Sequence, residues 1–400
     1  MLCDLFTLTT WFELISLLKL LQACICLCLT TAAVAAQSGA LDKPQLEAVR
    51  GHYEKAQVYE RTNDWPAAEK EWRLVIKLAP KDARAWVNLG VALNRQNKSR
   101  EAIDAWMQAT TIDPKLAGAH FNLGLALVRS NEFAAAINPL KIALTLEPDN
   151  DAARRALALA LVGLERFPEA SREIARLLAR SPRDATLLEM AAQCFLRQRR
   201  YAEATIVLKR RLDLGNETSQ LWAQYGDALD GASRTIEALE AYTRAVELAP
   251  DSNVTRYGLG YLYWKLYRYD EAERELTEVL RRDPKDARAA FTLGDLYLTK
   301  GDAKRALPFL EMAARDYPAE FDTRFALGRA LVLIGESKRG IEELRAAVKL
   351  DGSISDGHFQ LGRALMQAGL SDEGKRELDR ARKLQEATRD AERKRFGKKP

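Results

Sequence analysis

Seven of the thirteen prolines, Pro80, Pro114, Pro148, Pro182, Pro250, Pro284 and Pro318, fall on one grid with a step of 34 residues that skips a single beat at Asn216. A fixed step of this length marks a stack of two-helix units, none of which can bury its apolar face alone, so each must pack on its neighbours. Other residue types obey the same grid. Counting from Val49, ten units fit without insertion, starting at 49, 83, 117, 151, 185, 219, 253, 287, 321 and 355 and closing at Thr388. The eighth place of every unit is glycine or alanine, from Ala56 and Gly90 to Gly362, and so is the twentieth, from Ala68 to Gly374. The twenty-fourth is large and apolar throughout, from Trp72 and Trp106 through Tyr242 to Leu378. Small side chains let two helix backbones approach, so these places predict the crossings of paired helices.

Turn and cap chemistry fits two helices per unit. Asn63, Asn97, Asn131, Gly301, Gly335 and Gly369 stand just past the first helix of six units and are types that tolerate a left-handed cap. Asp82, Asn150, Asp184, Ser252 and Asp286 precede the next unit's first helix, where their side chains can accept from orphan N–H groups. Pro66 and Pro168 suit a first turn, whereas Pro139 and Pro308 lie about a turn deeper and predict a local kink or a delayed helix start.

The second unit carries Trp86, Leu89, Gly90, Leu93, Ala102, Trp106, Ala109 and Pro114 at the spacing of the tetratricopeptide repeat, and the chain resembles that family over residues 49–388. The resemblance implies an all-α fold, a right-handed superhelical solenoid of helix-turn-helix repeats. It also implies a scaffold that binds a protein segment in a concave groove lined by the first helices, with contacts from their second, fifth, ninth and twelfth places and with no cofactor and no metal. Carried onto this sequence, the fifth place gives an aromatic row that includes Tyr257, Phe291 and Phe325. Asn88 and Asn122, in the sixth place of consecutive units, resemble the asparagine ladder by which some members hold a peptide backbone. The basic clamp for chaperone tails is not met, because Tyr53, Gln57, Val87 and Val91 fill its lysine and asparagine places.

The seventh unit stands out. Tyr257, Tyr261 and Trp264 are spaced i, i+4, i+7 and share one helical face, flanked by Asp227 and Asp230 of the sixth unit and Asp295 of the eighth, with Arg329 and Arg363 further on. Rigid aromatics with a polar edge are common interface anchors, which makes this face the candidate binding patch.

Residues 14–36, LISLLKLLQACICLCLTTAAVAA, differ in composition from the repeats. An apolar run ending in small residues fits an export signal cleaved after Ala36. A retained membrane anchor and lipidation at Cys24 are the rival readings of residues 1–36. All three place the repeats outside the cytoplasm, in the periplasm or cell envelope, or secreted. Residues 37–48 then read as a linker and 389–400 as a basic tail. With the signal gone only Cys194 remains, so no internal disulfide is expected.

Charge and motif content narrow the function. The 61 basic and 56 acidic side chains nearly balance, and residues 375–400 hold eleven basic against five acidic groups, so the repeats lack the sustained positive face that nucleic-acid binding needs. The three histidines, His52, His120 and His358, all occupy the fourth place, which Trp86 and Trp222 hold elsewhere, and read as variants of a packing position. No catalytic motif accompanies them, so the chain is not expected to be an enzyme. The leading expectation is a protein-binding scaffold of an envelope complex. The alternatives are an accessory subunit of a polysaccharide synthesis or export machine, with the aromatics stacking on glycan, and a regulatory subunit of a separate enzyme.

Overall fold

The computed structural model describes residues 42–397; the candidate export segment lies outside them. Among the described residues there are twenty helices and no strand, and no helix is long and apolar enough to cross a membrane. The described residues divide into two compact units, with the boundary between Cys194 and Phe195. The N-terminal unit contains α1 (Lys43–Arg61), α2 (Trp65–Leu78), α3 (Ala83–Arg95), α4 (Ser99–Ile112), α5 (Ala117–Arg129), α6 (Phe133–Leu146), α7 (Asp151–Gly163) and α8 (Phe167–Arg180). The division falls within α9 (Ala185–Arg197). The C-terminal unit continues with α10 (Tyr201–Leu212), α11 (Ser219–Gly231), α12 (Thr235–Leu248), α13 (Asn253–Lys265), α14 (Tyr269–Arg282), α15 (Ala287–Thr299) and α16 (Ala303–Asp316). It ends with α17 (Phe321–Leu333), α18 (Ser337–Leu350), α19 (Ser355–Gln367) and α20 (Ser371–Phe396). From the second repeat onward every first helix starts on the first place of the grid.

The small places do what their spacing predicts. A Cβ on Gly90 would stand 2.4 Å from Trp106 Nε1, and one on Gly226 would stand 2.5 Å from the Tyr242 ring. The eighth place of the first helix therefore receives the twenty-fourth-place side chain of its own unit, with Trp72, Leu140, Ile174, Leu208, Leu276 and Leu310 all fully buried in that role. Tyr242 is gripped twice, because a Cβ on Gly258 of the following repeat would come within 2.1 Å of the same ring.

All ten turns between paired helices pass through the left-handed region. The six expected positions do so, and Glu165, Arg199, Ser233 and Tyr267 follow with φ of 57°, 56°, 62° and 60°. For these four the Cβ makes the conformation costly, so Tyr267→Gly should raise stability by about 1 kcal/mol in denaturant titration. The five expected N-caps are present, with Asp82 and Asp286 each accepting from two backbone N–H groups. Asn150, Asp184 and Ser252 accept from one each.

The skipped beat has a backbone cause. Helix α10 has 12 residues where the other second helices before α20 have 14, and the chain then turns through Gly215 and Asn216 at φ 83° and 53°. Proline fixes φ near −65° and cannot take that turn. Beside it lies a surface cavity of about 430 Å³ lined in part by Lys209, Trp222, Tyr225 and Arg244.

Of the two outcomes expected at Pro139 and Pro308 one is excluded, and the histidine place gains a second role. Pro139 and Pro308 do not delay their helices, since α6 and α16 begin at the same repeat place as their counterparts and carry the prolines inside. The cost is one backbone hydrogen bond per proline. The fourth place, read as packing, buries His120 and His358 and is a hydrogen-bonding place as well. Trp86, His120, Arg154, Arg256, Arg324 and His358 each reach the carbonyl six residues back, at 2.6–3.1 Å, tying the helix to the linker before it. His52, Arg154, Arg256, Arg324 and His358 also meet Glu71, Glu173, Glu275, Glu343 and Glu377 in the twenty-third place, at 2.5–2.6 Å.

Both ends depart from the grid. Helix α1 opens at Lys43, inside the stretch read as a linker, because Asp42 and Gln45 form a capping box there. Helix α20 continues through the basic tail to Phe396. The twenty-eighth place of the repeat, on its second helix, is apolar in most units, and Val246, Leu280 and Val348 pack there against core clusters that reach into the next repeat. In α20 that place is Arg382, whose side chain is 68% exposed.

Candidate functional site

Helix α13 is shaped for close packing on one side and contact on the other. Gly258 and Gly260 let it settle against Tyr242 of α12 and Leu276 of α14, while Leu259 and Leu262 are buried. Tyr257, Tyr261 and Trp264 emerge together on another face, each half-buried. Their rings form a run, with centroids 6.3 Å apart from Tyr257 to Tyr261 and 5.6 Å from Tyr261 to Trp264. Tyr257 and Trp264 rest on the core cluster of α14–α17, and Tyr261 on that of α11–α13.

Neighbouring first helices complete the face. The Arg288 guanidinium lies over Tyr257 at 4.9 Å, Arg329 over Phe325 at 5.5 Å, and Arg363 over Phe359 at 5.8 Å. Phe291 packs on the same cluster as Tyr257 and Trp264, and Phe321 stacks on Phe325 at 5.3 Å. Asp227 accepts from the Tyr242 hydroxyl at 2.5 Å.

Electrostatics mark the face as crowded. Crowding by surrounding protein raises the Asp227 carboxyl above the ordinary aspartate range, opposed by the Tyr242 hydrogen bond and reinforced by Asp230, although the side chain is open to water. Asp295 is raised for the same first reason, with Arg329 and Trp264 pulling it back and Asp322 pushing it further up. An acid raised in the folded state costs nothing below its unfolded value and destabilises as pH climbs through its folded value. Asp295→Asn should therefore raise the melting temperature at neutral pH, with the gain vanishing below about pH 4, where both forms are uncharged.

A family model described as tetratricopeptide repeat matches residues 31–117, 121–170, 155–217, 224–275 and 257–321. The chain belongs to the tetratricopeptide repeat family. Among solved structures, it is similar to residues 41 to the end of MamA from Desulfovibrio magneticus RS-1, at 22% identity over 42% of this chain and 96% of that one, with a TM-score of 0.39. Naa15/Naa10 bound to HypK-THB aligns at 15% identity over 84% of this chain and 68% of that one, with a TM-score of 0.45. YrrB, a tetratricopeptide protein with an unusual peptide-binding site, aligns at 21% identity over 55% and 96%, with a TM-score of 0.32. Comparison with curated proteins finds no match.

Within this tetratricopeptide array the candidate residues divide. Tyr257, Tyr261, Trp264, Asp295, Phe291, Phe325 and Arg329 are joined by the packing and pairing above, and Asp227 adjoins them through Tyr242. Asp230 is occupied internally, accepting from Lys265 at 2.7 Å and Thr235 at 2.9 Å. Arg363 is exposed on α19. Asn88 and Asn122 are half-buried on α3 and α5 of the N-terminal unit. Sequence reasoning passed over Tyr242, Arg288 and Lys265. Tyr242 carried a signal, being the one twenty-fourth-place residue with a hydroxyl. Among the described residues no group of His, Cys, Asp or Glu is arranged to hold a metal ion.

Proposed function

We propose that this tetratricopeptide protein is an interaction scaffold that holds an extended segment of a partner protein on the first-helix face of its C-terminal unit. The observation that carries the reading is the run of Tyr257, Tyr261 and Trp264, half-buried against the core clusters and flanked by two carboxyls in crowded surroundings. Anchors of this kind lose little entropy on binding and bury large area. Family membership supports protein binding as the general role.

The proposal extends to the cell envelope. The apolar run of residues 14–36 supports export, and the scaffold then serves an envelope complex. A photo-crosslinking residue in place of Tyr261, with mass spectrometry of the products and of the mature N-terminus, tests both parts. A protein partner attached at α13 and a terminus near Gln37 are expected. Retention of glycan with no protein at α13 would overturn the scaffold reading, and a cytoplasmic chain with an intact terminus would overturn export.

A further inference from the structure

The ninth place of successive first helices in the C-terminal unit reads Asp227, Tyr261, Asp295, Arg329, Arg363, on α11, α13, α15, α17 and α19. Acids flank an aromatic at one end, and cations occupy the other. We propose that this row selects a partner segment by charge order, seating a cationic side chain on Tyr261 between Asp227 and Asp295 and an anionic group against Arg329 and Arg363. The proposal rests on the groove reading above and adds the chemistry of the occupant.

At the acidic end the Tyr261 ring stands in the aromatic run, and a cation over such a ring is attracted by its face. Asp227 and Asp295 sit where surrounding protein disfavours their charge, so an incoming lysine or arginine relieves a cost already present. At the basic end Arg329 and Arg363 lie on the rings of Phe325 and Phe359, which hold the guanidinium groups in place. Arg363 pairs with no carboxylate among the described residues, while Arg329 faces Asp295. The rim row in the second place runs the other way, through Arg288, Asp322 and Asp356. Arg288 is engaged by Asp286 at 3.3 Å and by the Tyr257 ring, and Asp322 adds to the negative field at Asp295.

Helix spacing converts the row into a sequence requirement. Packed helices lie about 8–10 Å apart, so Tyr261 and Arg329, two repeats apart, are separated by about 20 Å. An extended chain advances about 3.3 Å per residue, which places the cation and the anion about six residues apart.

The test uses three blocked peptides on one Ser/Leu background, carrying Arg and Glu six residues apart, Arg at both positions, or Glu at both. Affinities are measured for the full chain, Arg363→Glu, Asp227→Asn and Tyr261→Ala, each checked for retained helicity. The Arg/Glu peptide should bind wild type about tenfold more tightly than either like-charged peptide. Arg363→Glu should transfer that preference to the Arg/Arg peptide, and Asp227→Asn should weaken both Arg-bearing peptides. Equal binding of all three, tightest binding of Glu/Glu, no binding at all, or an unchanged preference in Arg363→Glu overturns the proposal. If Tyr261→Ala abolishes binding while charge order has no effect, the groove stands and the charge order falls. If charge-dependent binding survives Tyr261→Ala unchanged, both readings fall.

Discussion

Tyr242→Ala should lower the unfolding free energy of the C-terminal unit by about 3–5 kcal/mol, the range for removing a large buried aromatic that leaves a cavity. Two glycines, Gly226 and Gly258, are shaped around this ring, one in its own repeat and one in the next. Neither glycine has a side chain that can turn in to fill the space. The hydroxyl adds a second loss, because Asp227 would keep its crowded position without its donor. Tyr242→Phe separates the contributions: it keeps the ring and should cost about 1 kcal/mol, the net worth of one hydrogen bond. Urea unfolding of the three proteins measures both steps. A Phe variant as unstable as the Ala variant would show that the hydroxyl, not the ring, holds the repeats together.

Tyr261→Ala should weaken binding of the partner segment tenfold or more, a loss of about 2 kcal/mol, with helicity retained. Trp264→Ala should do the same at a larger cost in stability, since this indole also rests on the α14–α17 core and reaches Asp295. Affinity for the crosslinked partner, with circular dichroism as control, distinguishes contact from folding. Unfolding of both variants would make these side chains core and end the groove reading.

The sequence made the fold legible because its constraints are local and repeated. Gly90 faces Trp106 and Gly226 faces Tyr242 at one fixed separation, so a clash avoided once is avoided ten times and shows as a column of small residues. The left-handed turn at Asn63, Asn97 and Asn131 is visible for the same reason. It was hidden at Glu165, Arg199, Ser233 and Tyr267, where packing of the paired helices overrides what those residues prefer. The pairing of the fourth and twenty-third places was also within reach. Wherever glutamate fills the twenty-third, at Glu71, Glu173, Glu275, Glu343 and Glu377, histidine or arginine fills the fourth. It escaped because Trp86 and Trp222 share the fourth place and suggested an apolar contact, when the common feature of the bonded side chains is an N–H.

The aromatic face of α13 was predictable from i, i+4, i+7 spacing, whereas the fate of its neighbours was not. Asp227 and Asp230 are three residues apart, and nothing in their order says that one accepts from Tyr242 while the other is taken by Lys265. Those partners come from different helices, and only the stacking of repeats decides which lies nearer.

The side chain at Arg382 puts a charge at a place that is apolar in most other repeats. An interior repeat is held by two neighbours and the tenth by one, so exchange of backbone hydrogens should quicken toward α19 and α20. Where Val246, Leu280 and Val348 offer an oily step for the next repeat, Arg382 presents a guanidinium to water. Arg382→Val would reopen that step, and copies of the chain could then join end to end.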